Sequence, residues 1–267
     1  MRQHEFVLAI LWSICLIPLS GHPQADLSAR EIMDRSFKTT KLAGAEMLST
    51  LTIIDGQGRE RVREVASVSK LFDAGATEKR LIRFLSPADV EGTGFLTFDY
   101  EDRDDDMWLF MPALRKTRRI VSTEKAKNFM GSEFTYADMT PPVLDDFSYR
   151  LMGEVDEDGI RCWEIEMIPV SEEVADETGF SKRVVRIGQQ DFVIRHALYF
   201  DLDGAEHKEL TVHEIREVDT VHHKYRPLHM TMLNHQNDRR SVLRVSKIVF
   251  NPEVKDEYFT TRYLERF

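Results

Sequence analysis

The chain has 267 residues, of which 46 are acidic and 36 are basic, giving a formal net charge of −10. This acidic balance argues against a nucleic-acid-binding protein, because phosphate recognition needs a basic surface. The length is sufficient for one large β domain or two smaller domains.

The N-terminus has the pattern of a secretory signal peptide. Arg2 precedes an apolar run over residues 6–19, and small or polar residues follow. We predict a signal peptide over residues 1–25, cleaved at its end or after Gly21, and a single domain over residues 26–267. An uncleaved anchor is the alternative. The pattern predicts export to an extracytoplasmic space, the bacterial periplasm.

An amphipathic helix is predicted directly after this leader, over residues 27–38. Ser28 is a good N-cap, and Glu31 stands three residues later, which completes a capping box. Apolar residues recur at helical spacing, which predicts that one face of the helix is buried. These residues are Leu27, Ile32, Met33 and Phe37.

The rest of the chain reads as short strands joined by turns such as Asp55-Gly56. Little helix is predicted among them, so a large antiparallel sheet curled on itself is expected. Residues 122–139 do not alternate, and we expect a helix or an irregular covering segment there. The strand-like runs are residues 47–54, 62–72, 80–85, 94–100, 107–111, 118–121, 149–154, 161–168, 182–188, 192–200, 209–218, 225–233 and 241–250.

One face of the predicted sheet is rich in methionine and aromatic residues. Leu96 and Phe98 share a face of one strand, and Met230 and Met232 share a face of another. Methionine is flexible and polarisable, and it suits a pocket that admits varied apolar ligands. Either these side chains fill the core, or the curled sheet encloses a ligand cavity.

No arrangement of residues indicates catalysis or a metal site. The chain has no HExxH, GxSxG, P-loop or GxGxxG sequence, and its adjacent His222 and His223 would point to opposite faces of a strand. Cys15 lies in the predicted leader, which leaves Cys162 without an internal disulfide partner. Cys162 is interpreted as a buried structural residue. We predict no enzyme, no cofactor and no metal.

A basic run reverses the acidic sign of the chain. Six basic residues fall within residues 115–127, opposed only by Glu124. Arg115, Arg118 and Arg119 are the members that we predict to contact a headgroup or a partner. Such a run attracts an anionic lipid headgroup, a membrane surface or an acidic partner. A solvated edge strand that uses charge to prevent aggregation is the alternative.

The segment PALRKTRRI followed by FMGSEFTYADM, within residues 112–139, resembles the outer-membrane lipoprotein-sorting protein family, the LolA-like group. Further similarity covers residues 149–169, 199–219 and 237–267. The resemblance implies an incomplete, strongly curved antiparallel barrel with helices as a lid and a cavity for acyl chains. It also implies that members carry lipoproteins through the periplasm, sense misplaced lipoproteins, or work beside lipid exporters.

We therefore expect a mainly β (α+β) fold, a strongly curved antiparallel half-barrel of about 11–13 strands with a helical or irregular lid. The predicted function is a periplasmic carrier that binds the acyl chains of a lipoprotein or lipid and moves it toward the outer membrane. The alternative is a lipid-sensing or adaptor domain that docks on a membrane lipid exporter or an anti-sigma factor. The predicted cavity or lid residues are Leu96, Phe98, Trp108, Phe110, Met130, Phe134, Met230 and Met232.

The expected partners follow from this interpretation. They are a lipoprotein or lipid cargo, an inner-membrane transporter, and a membrane surface in transient contact. Nucleic acid is excluded by the acidic balance of the chain.

Overall fold

The computed structural model describes residues 27–101 and 103–266, and the predicted signal peptide over residues 1–25 lies outside them. A single 13-stranded antiparallel sheet dominates the described chain. The strands are β1 (Gly44–Ile54), β2 (Glu60–Phe72), β3 (Thr77–Ser86), β4 (Gly94–Tyr100), β5 (Asp106–Met111), β6 (Lys116–Arg119), β7 (Phe147–Glu157), β8 (Ile160–Pro169), β9 (Lys182–Gly188), β10 (Ile194–Phe200), β11 (Glu206–Asp219), β12 (Lys224–Asn234) and β13 (Arg239–Phe250).

The strand order is that of two meanders joined in the middle of the sheet. Strands β1 to β6 follow one another outward to one edge, and β7 to β13 return from the other edge. The first and last strands meet at the centre, where Leu51 pairs with Leu243. The free edges are therefore β6 and β7, which are consecutive in the chain but lie at opposite ends of the sheet.

Contacts across the interior show that the sheet is strongly curved. Strands β3 and β12 are four places apart in the sheet, a separation of roughly 19 Å if the sheet were flat. Nevertheless, Glu78 on β3 and Arg226 on β12 form an ion pair at 3.1 Å. The two halves of the sheet therefore bend toward each other around a concave interior. The predicted curved antiparallel fold is confirmed, with 13 strands and without closure into a barrel.

Three helices accompany the sheet: α1 (Ala29–Thr39), α2 (Glu172–Thr178) and α3 (Thr261–Leu264). The predicted capping box at the start of α1 is confirmed, because Ser28 and Glu31 each accept from the backbone of the other. Ile32 and Met33 on its inner face are fully buried. Helix α2 was not predicted. No helix among the described residues is both long and apolar enough to cross a membrane.

The chain between the two edge strands crosses the concave side and is here named the cover, residues 120–146. It is irregular, with four short 3₁₀ turns, as the lack of alternation in the sequence predicted. Phe129 is its central anchor, with its ring centroid 6.0 Å from that of Phe84 and 5.1 Å from that of Phe95. Tyr136 adds an edge-to-face contact with Phe129 at 5.5 Å. These aromatic contacts bury both faces of the cover's central turn.

The C-terminal segment crosses the opposite, convex face and is here named the strap, residues 251–266. Its apolar residues Val254, Phe259 and Leu264 are buried against strands β3 to β5. Arg83 on β3 donates to the carbonyl of Leu264 at 3.0 Å, and Lys70 on β2 donates to that of Val254 at 2.8 Å. Strands β3 to β5 are therefore covered on both faces, by the cover inside and by the strap outside.

Candidate functional site

A cavity of about 360 Å³ lies between the concave face of the sheet and the cover. That volume falls within the usual range of small-molecule sites, about 300–1,000 Å³. Apolar side chains from the central strands form most of its wall. They are Met47, Leu51, Val65, Ile82, Phe84, Met230, Met232, Leu243 and Val245.

The strand register explains why these side chains share one surface. In one row across the sheet, Val212 pairs with Met230, Met230 with Leu243, and Leu243 with Leu51. Residues paired across antiparallel strands point to the same face, so the row forms a continuous apolar band. Met230 is partly buried and Met232 almost completely buried. The wall thus combines rigid aliphatic residues with adaptable methionines.

The cover forms the roof of the cavity with Phe129, Phe134 and Met139. Near its end, Pro141 and Pro142 also line the cavity. Proline lacks a backbone donor and resists both helix and central-strand structure. The roof is therefore an irregular segment held by side-chain contacts rather than by a strand ladder.

Glu133, at the tip of the cover, contacts side chains of β11, β12 and β13. Its carboxylate lies 2.9 Å from Nε of Arg239 and accepts from Nδ2 of Asn234 at 2.8 Å. Its backbone N–H donates to Ser241 Oγ at 2.8 Å, and its carbonyl accepts from Lys208 Nζ at 2.8 Å. Glu133 is almost fully buried. One residue of the cover therefore collects four polar contacts from the sheet.

Arginines on the sheet hold further carbonyl groups of the cover. Arg63 donates to the carbonyl of Met130, and Arg239 to that of Gly131 at 3.0 Å. Arg80 donates to the carbonyl of Met139 at 2.9 Å. These contacts are individual hydrogen bonds from side chains, so they can break without disrupting the sheet itself.

A buried cluster of charges lies beside the cavity, where Arg80 and Arg226 contribute to its lining. Both arginines reach Glu78 Oε1, at 3.2 and 3.1 Å. Burial alone would raise the pKa of Glu78, but the two guanidinium groups outweigh burial and lower it to about 2. Lys41 lies 3.1 Å from Asp99, whose pKa is raised because burial outweighs that ion pair. Glu78 therefore stays ionised at any physiological pH and bridges the two halves of the curved sheet.

Asp105, immediately before β5, is a further carboxyl group with an altered pKa. Burial raises its pKa to about 7, and the nearby charge of Asp99 acts in the same direction. A hydrogen bond from Thr140 of the cover opposes this rise without cancelling it. Asp105 is therefore the carboxyl group beside the cover that changes protonation near neutral pH.

Arg183 on β9 is a third arginine in the cavity lining, and it is 9% exposed. Its guanidinium carbon lies 4.6 Å from the ring centroid of Tyr199. The hydroxyl of Tyr199 donates to Asp138 of the cover at 3.4 Å. Sequence analysis missed all three cavity arginines. Arg80 shares a strand face with Ile82 and Phe84, and that alternation was the available signal.

The structure divides the eight predicted cavity or lid residues into two groups, one on the concave side of the sheet and one on its other face. Phe134, Met230 and Met232 line the cavity. Met130 packs against the interior core from the cover, in a left-handed conformation with φ 51°. Their roles in binding remain predictions.

Four of the predicted cavity residues lie on the other face of the sheet, which corrects their predicted position. Leu96, Phe98, Trp108 and Phe110 pack beneath the strap. Phe95, one residue earlier, points into the interior and contacts the cover. Alternation separated the two faces correctly, but it did not identify the concave one because both faces of β4 are largely buried.

The three arginines predicted to contact a headgroup or partner lie on or beside edge strand β6. Arg118 is paired with Glu124 at 2.6 Å, and Arg119 with Asp106. Arg115 is exposed just before the strand, in a left-handed conformation with φ 47°. Two of the three are therefore paired with carboxylates, whereas Arg115 is exposed and forms no ion pair with the described part of the chain.

Histidines of the described chain pair with carboxylates, and Cys162 is buried. Glu209 lies between His196 at 2.7 Å and His235 at 3.0 Å. Within residues 27–101 and 103–266, no group of three or more candidate ligands is arranged to hold a metal ion. Cys162 is fully buried, and burial raises the pKa of its thiol to about 11. A thiol with this pKa is protonated and unreactive at neutral pH.

Solved structures with the same fold cover nearly the whole chain. A DUF1329 family protein from Desulfovibrio piger is 27% identical, with a TM-score of 0.80 over 88% of this chain and 97% of its own. A Vibrio parahaemolyticus domain, proposed to be an outer membrane lipoprotein-sorting protein domain, is 26% identical, with a TM-score of 0.80 over 89% and 98%. A LolA superfamily protein from Nitrosomonas europaea, 16% identical, has a TM-score of 0.67 over 89% and 99%.

No curated protein matches the chain significantly. A DUF1329-like family model matches residues 76–266, well over half of the chain. That range includes the cover, the strap and eleven complete strands of the sheet, β3 to β13. The resemblance to the outer-membrane lipoprotein-sorting group is confirmed by the structures that share the fold. The chain thus belongs to the DUF1329-like family and has the LolA-like fold.

Proposed function

We propose that this protein is a periplasmic carrier that binds the acyl chains of a lipoprotein or lipid and moves it toward the outer membrane. The observation that carries the proposal is the apolar cavity beneath the cover. In this proposal, the leader over residues 1–25 directs export of the protein, and residues 26–267 work as a single domain. It acts by binding and release, without catalysis.

The cavity wall supports acyl chains as the ligand class. Most of the lining from the central strands is aliphatic, aromatic or methionine. Burying each methylene of an acyl chain there contributes about 0.8 kcal/mol. Methionines such as Met47 and Met230 can adapt to chains of different length, because their side chains are unbranched and flexible.

Movement of the cover is the proposed route by which the cargo enters and leaves. The cover crosses from β6 to β7 without joining the sheet ladder, and its tip depends on Glu133. Segments of this kind, held by a few side-chain contacts, open at lower free-energy cost than a packed strand. The similarity to the Vibrio parahaemolyticus domain supports a lipoprotein as the cargo.

Purification of the protein from its native periplasm, followed by mass spectrometry, tests the proposal. We expect an acyl-chain lipid or lipoprotein to copurify. Met47→Trp places an indole in the cavity and should abolish this copurification, because the added ring occupies the space of the ligand. Leu48→Trp is the matched control, since Leu48 is the next residue on β1, is 42% exposed and faces outward.

Delipidated wild-type protein that also fails to bind fluorescent fatty acids would refute the carrier. Equal amounts of bound lipid in Met47→Trp and Leu48→Trp would show that the cavity is not the binding site. Recovery of a stable stoichiometric complex from membranes, instead of exchangeable cargo, would favour the sensor or adaptor function.

A further inference from the structure

We propose that the ligand of the cavity is an amphiphile with one anionic group, a carboxylate or a phosphate, and that this group binds Arg183. The inference rests on the proposed function and adds the chemical class of the cargo. The apolar wall binds the acyl chain, and the guanidinium group of Arg183 binds the anionic head group of the same molecule.

Arg183 is a buried cation without a counter-ion. It is 9% exposed and lines the cavity. Its Nε is inaccessible and has no hydrogen-bond partner. Across residues 27–101 and 103–266, no carboxylate forms an ion pair with Arg183. Its guanidinium carbon lies 4.6 Å from the ring centroid of Tyr199.

Other arginines of low exposure have polar partners. Arg63 is 8% exposed and donates to the carbonyl of Met130. Arg195 has a side-chain exposure of 13% and is paired with Asp191. Arg226 has an exposure of 12% and is paired with Glu78. Burying a cation without such a partner is unfavourable, because desolvation is not offset by a nearby charge. Arg183 is therefore the place in the cavity where an added anion stabilises the protein most.

The nearby carboxylates are already engaged elsewhere. Asp138 of the cover accepts from the backbone N–H and hydroxyl of Thr135, at 2.8 and 2.9 Å, and from Tyr199. Glu166, on the strand next to β9, points to the opposite face of the sheet and pairs with Arg150 on β7 at 2.8 Å. The anion that neutralises Arg183 is thus best supplied by the ligand.

The geometry of a guanidinium group selects the chemical class of the ligand. Its planar set of N–H donors matches the paired oxygens of a carboxylate or phosphate. A neutral acyl ligand would displace water from Arg183 and offer no replacement for its hydrogen bonds. Fatty acids and phospholipids both provide the required anion at one end of an acyl chain.

Competition against a neutral fluorescent probe, N-phenylnaphthylamine, tests the proposal in the full chain. Dodecanoate, dodecyl phosphate and dodecanol are the competitors, and they differ only in the head group. In wild-type protein, we expect both anions to displace the probe at concentrations at least about tenfold lower than dodecanol. In Arg183→Met, the three competitors should act at similar concentrations. Arg150→Met, outside the cavity, should retain the preference.

Each outcome has a distinct meaning. Equal displacement by the three competitors in wild-type protein overturns the anion site and leaves acyl-chain binding intact. A preference that survives Arg183→Met overturns the assignment to this residue. Failure of the probe and of every competitor to bind refutes the proposed function itself. A stronger effect of dodecanoate supports a fatty acid as the source of the anion, and a stronger effect of dodecyl phosphate supports a phospholipid.

The thermal stability of ligand-free protein provides a second measurement. Removing an unpaired buried charge should raise the melting temperature, so we expect Arg183→Met to be more stable than wild type. Arg226→Met is the matched contrast and should be less stable, because Glu78 loses a partner. A fall in melting temperature for Arg183→Met would indicate a structural role through Tyr199 and contradict the proposal. If Arg183→Met does not fold, Arg183→Gln and the wild-type head-group comparison decide the question.

Discussion

The strap and the cover bury opposite faces of the same strands, β3 to β5, yet they do so differently. Beneath the strap, Leu264 is fully buried and a β-carbon added at Gly94 would lie 2.6 Å from its Cδ1. Beneath the cover, a cavity of about 360 Å³ remains. One face is filled by side chains of the chain itself, and the other leaves space for a ligand.

This difference separates stability from function on one sheet. The strap packs apolar side chains closely against the sheet, which is the arrangement of a permanent core. The cover combines aromatic anchors with buried polar contacts, many of them centred on Glu133. Changes in the strap should therefore act on the stability of the whole fold, whereas changes at the cover should act on opening and binding.

Leu264→Ala should have the largest effect. The substitution leaves a cavity beneath the strap and should lower the free energy of unfolding by about 2–5 kcal/mol. Chemical denaturation measures this loss, with Arg262→Ala on the exposed side of α3 as the control. Fatty-acid affinity of the folded protein should not change. A large loss of affinity would show that the two faces are coupled.

Glu133→Ala should have an intermediate effect that is confined to the cover. Asn234 and Arg239 lose their shared acceptor, which should lower the free energy of cover opening by about 1.5–3 kcal/mol. Hydrogen exchange should accelerate at residues 122–139 and remain unchanged in the strap. Glu133→Gln retains an acceptor and should show a smaller change. Equal acceleration in the strap would mean that the cover is part of the permanent core.

Asp105→Asn should have the smallest effect, and that effect should depend on pH. Because folding raises the pKa of Asp105 to about 7, ionisation of this group opposes folding once the pH exceeds the unfolded value. The penalty grows from about pH 4 to about pH 7 and is constant above that range. Asp105→Asn should therefore be more stable than wild type at about pH 8, by roughly 1–2 kcal/mol, and the difference should disappear near pH 4.

Melting temperatures across this pH range provide the measurement for Asp105. Asp104→Asn is the control, because it makes the same substitution at the neighbouring, exposed position. A constant difference between wild type and Asp105→Asn at every pH would contradict the assignment. The result also bears on the cover, since Thr140 contacts Asp105.

Periodicity in the sequence predicts most of the secondary structure of this fold. The alternating runs predicted all thirteen strands, and β4 and β9 have the predicted bounds. Helix α2 was missed although Ser171 caps its start and Gly179 ends it in a left-handed conformation. Its 7 residues are too few to establish a helical period against the surrounding strands.

The site was harder to predict than the strands. Alternation along a strand shows which residues share a face, but it does not show which face of the sheet is concave. Leu96 and Phe95 are equally buried, the first beneath the strap and the second beneath the cover. The curvature that distinguishes them arises from contacts between distant strands, such as Glu78 with Arg226. Such long-range pairs have no local signature. Arg183, in phase with Val185 and Ile187, did carry a signal, since it places a cation on an apolar face.

The pairing of β1 with β13 affects the order in which the fold can assemble. Strand β1 begins at Gly44, and its second neighbour, β13, ends at Phe250, so roughly 200 residues separate the two partners. During synthesis, the β1 edge stays open until the last strand arrives. Open edges invite pairing with other chains, and such distant contacts slow folding. Completion of the sheet is therefore a late event, and the chain needs protection from aggregation until its C-terminal strand is available.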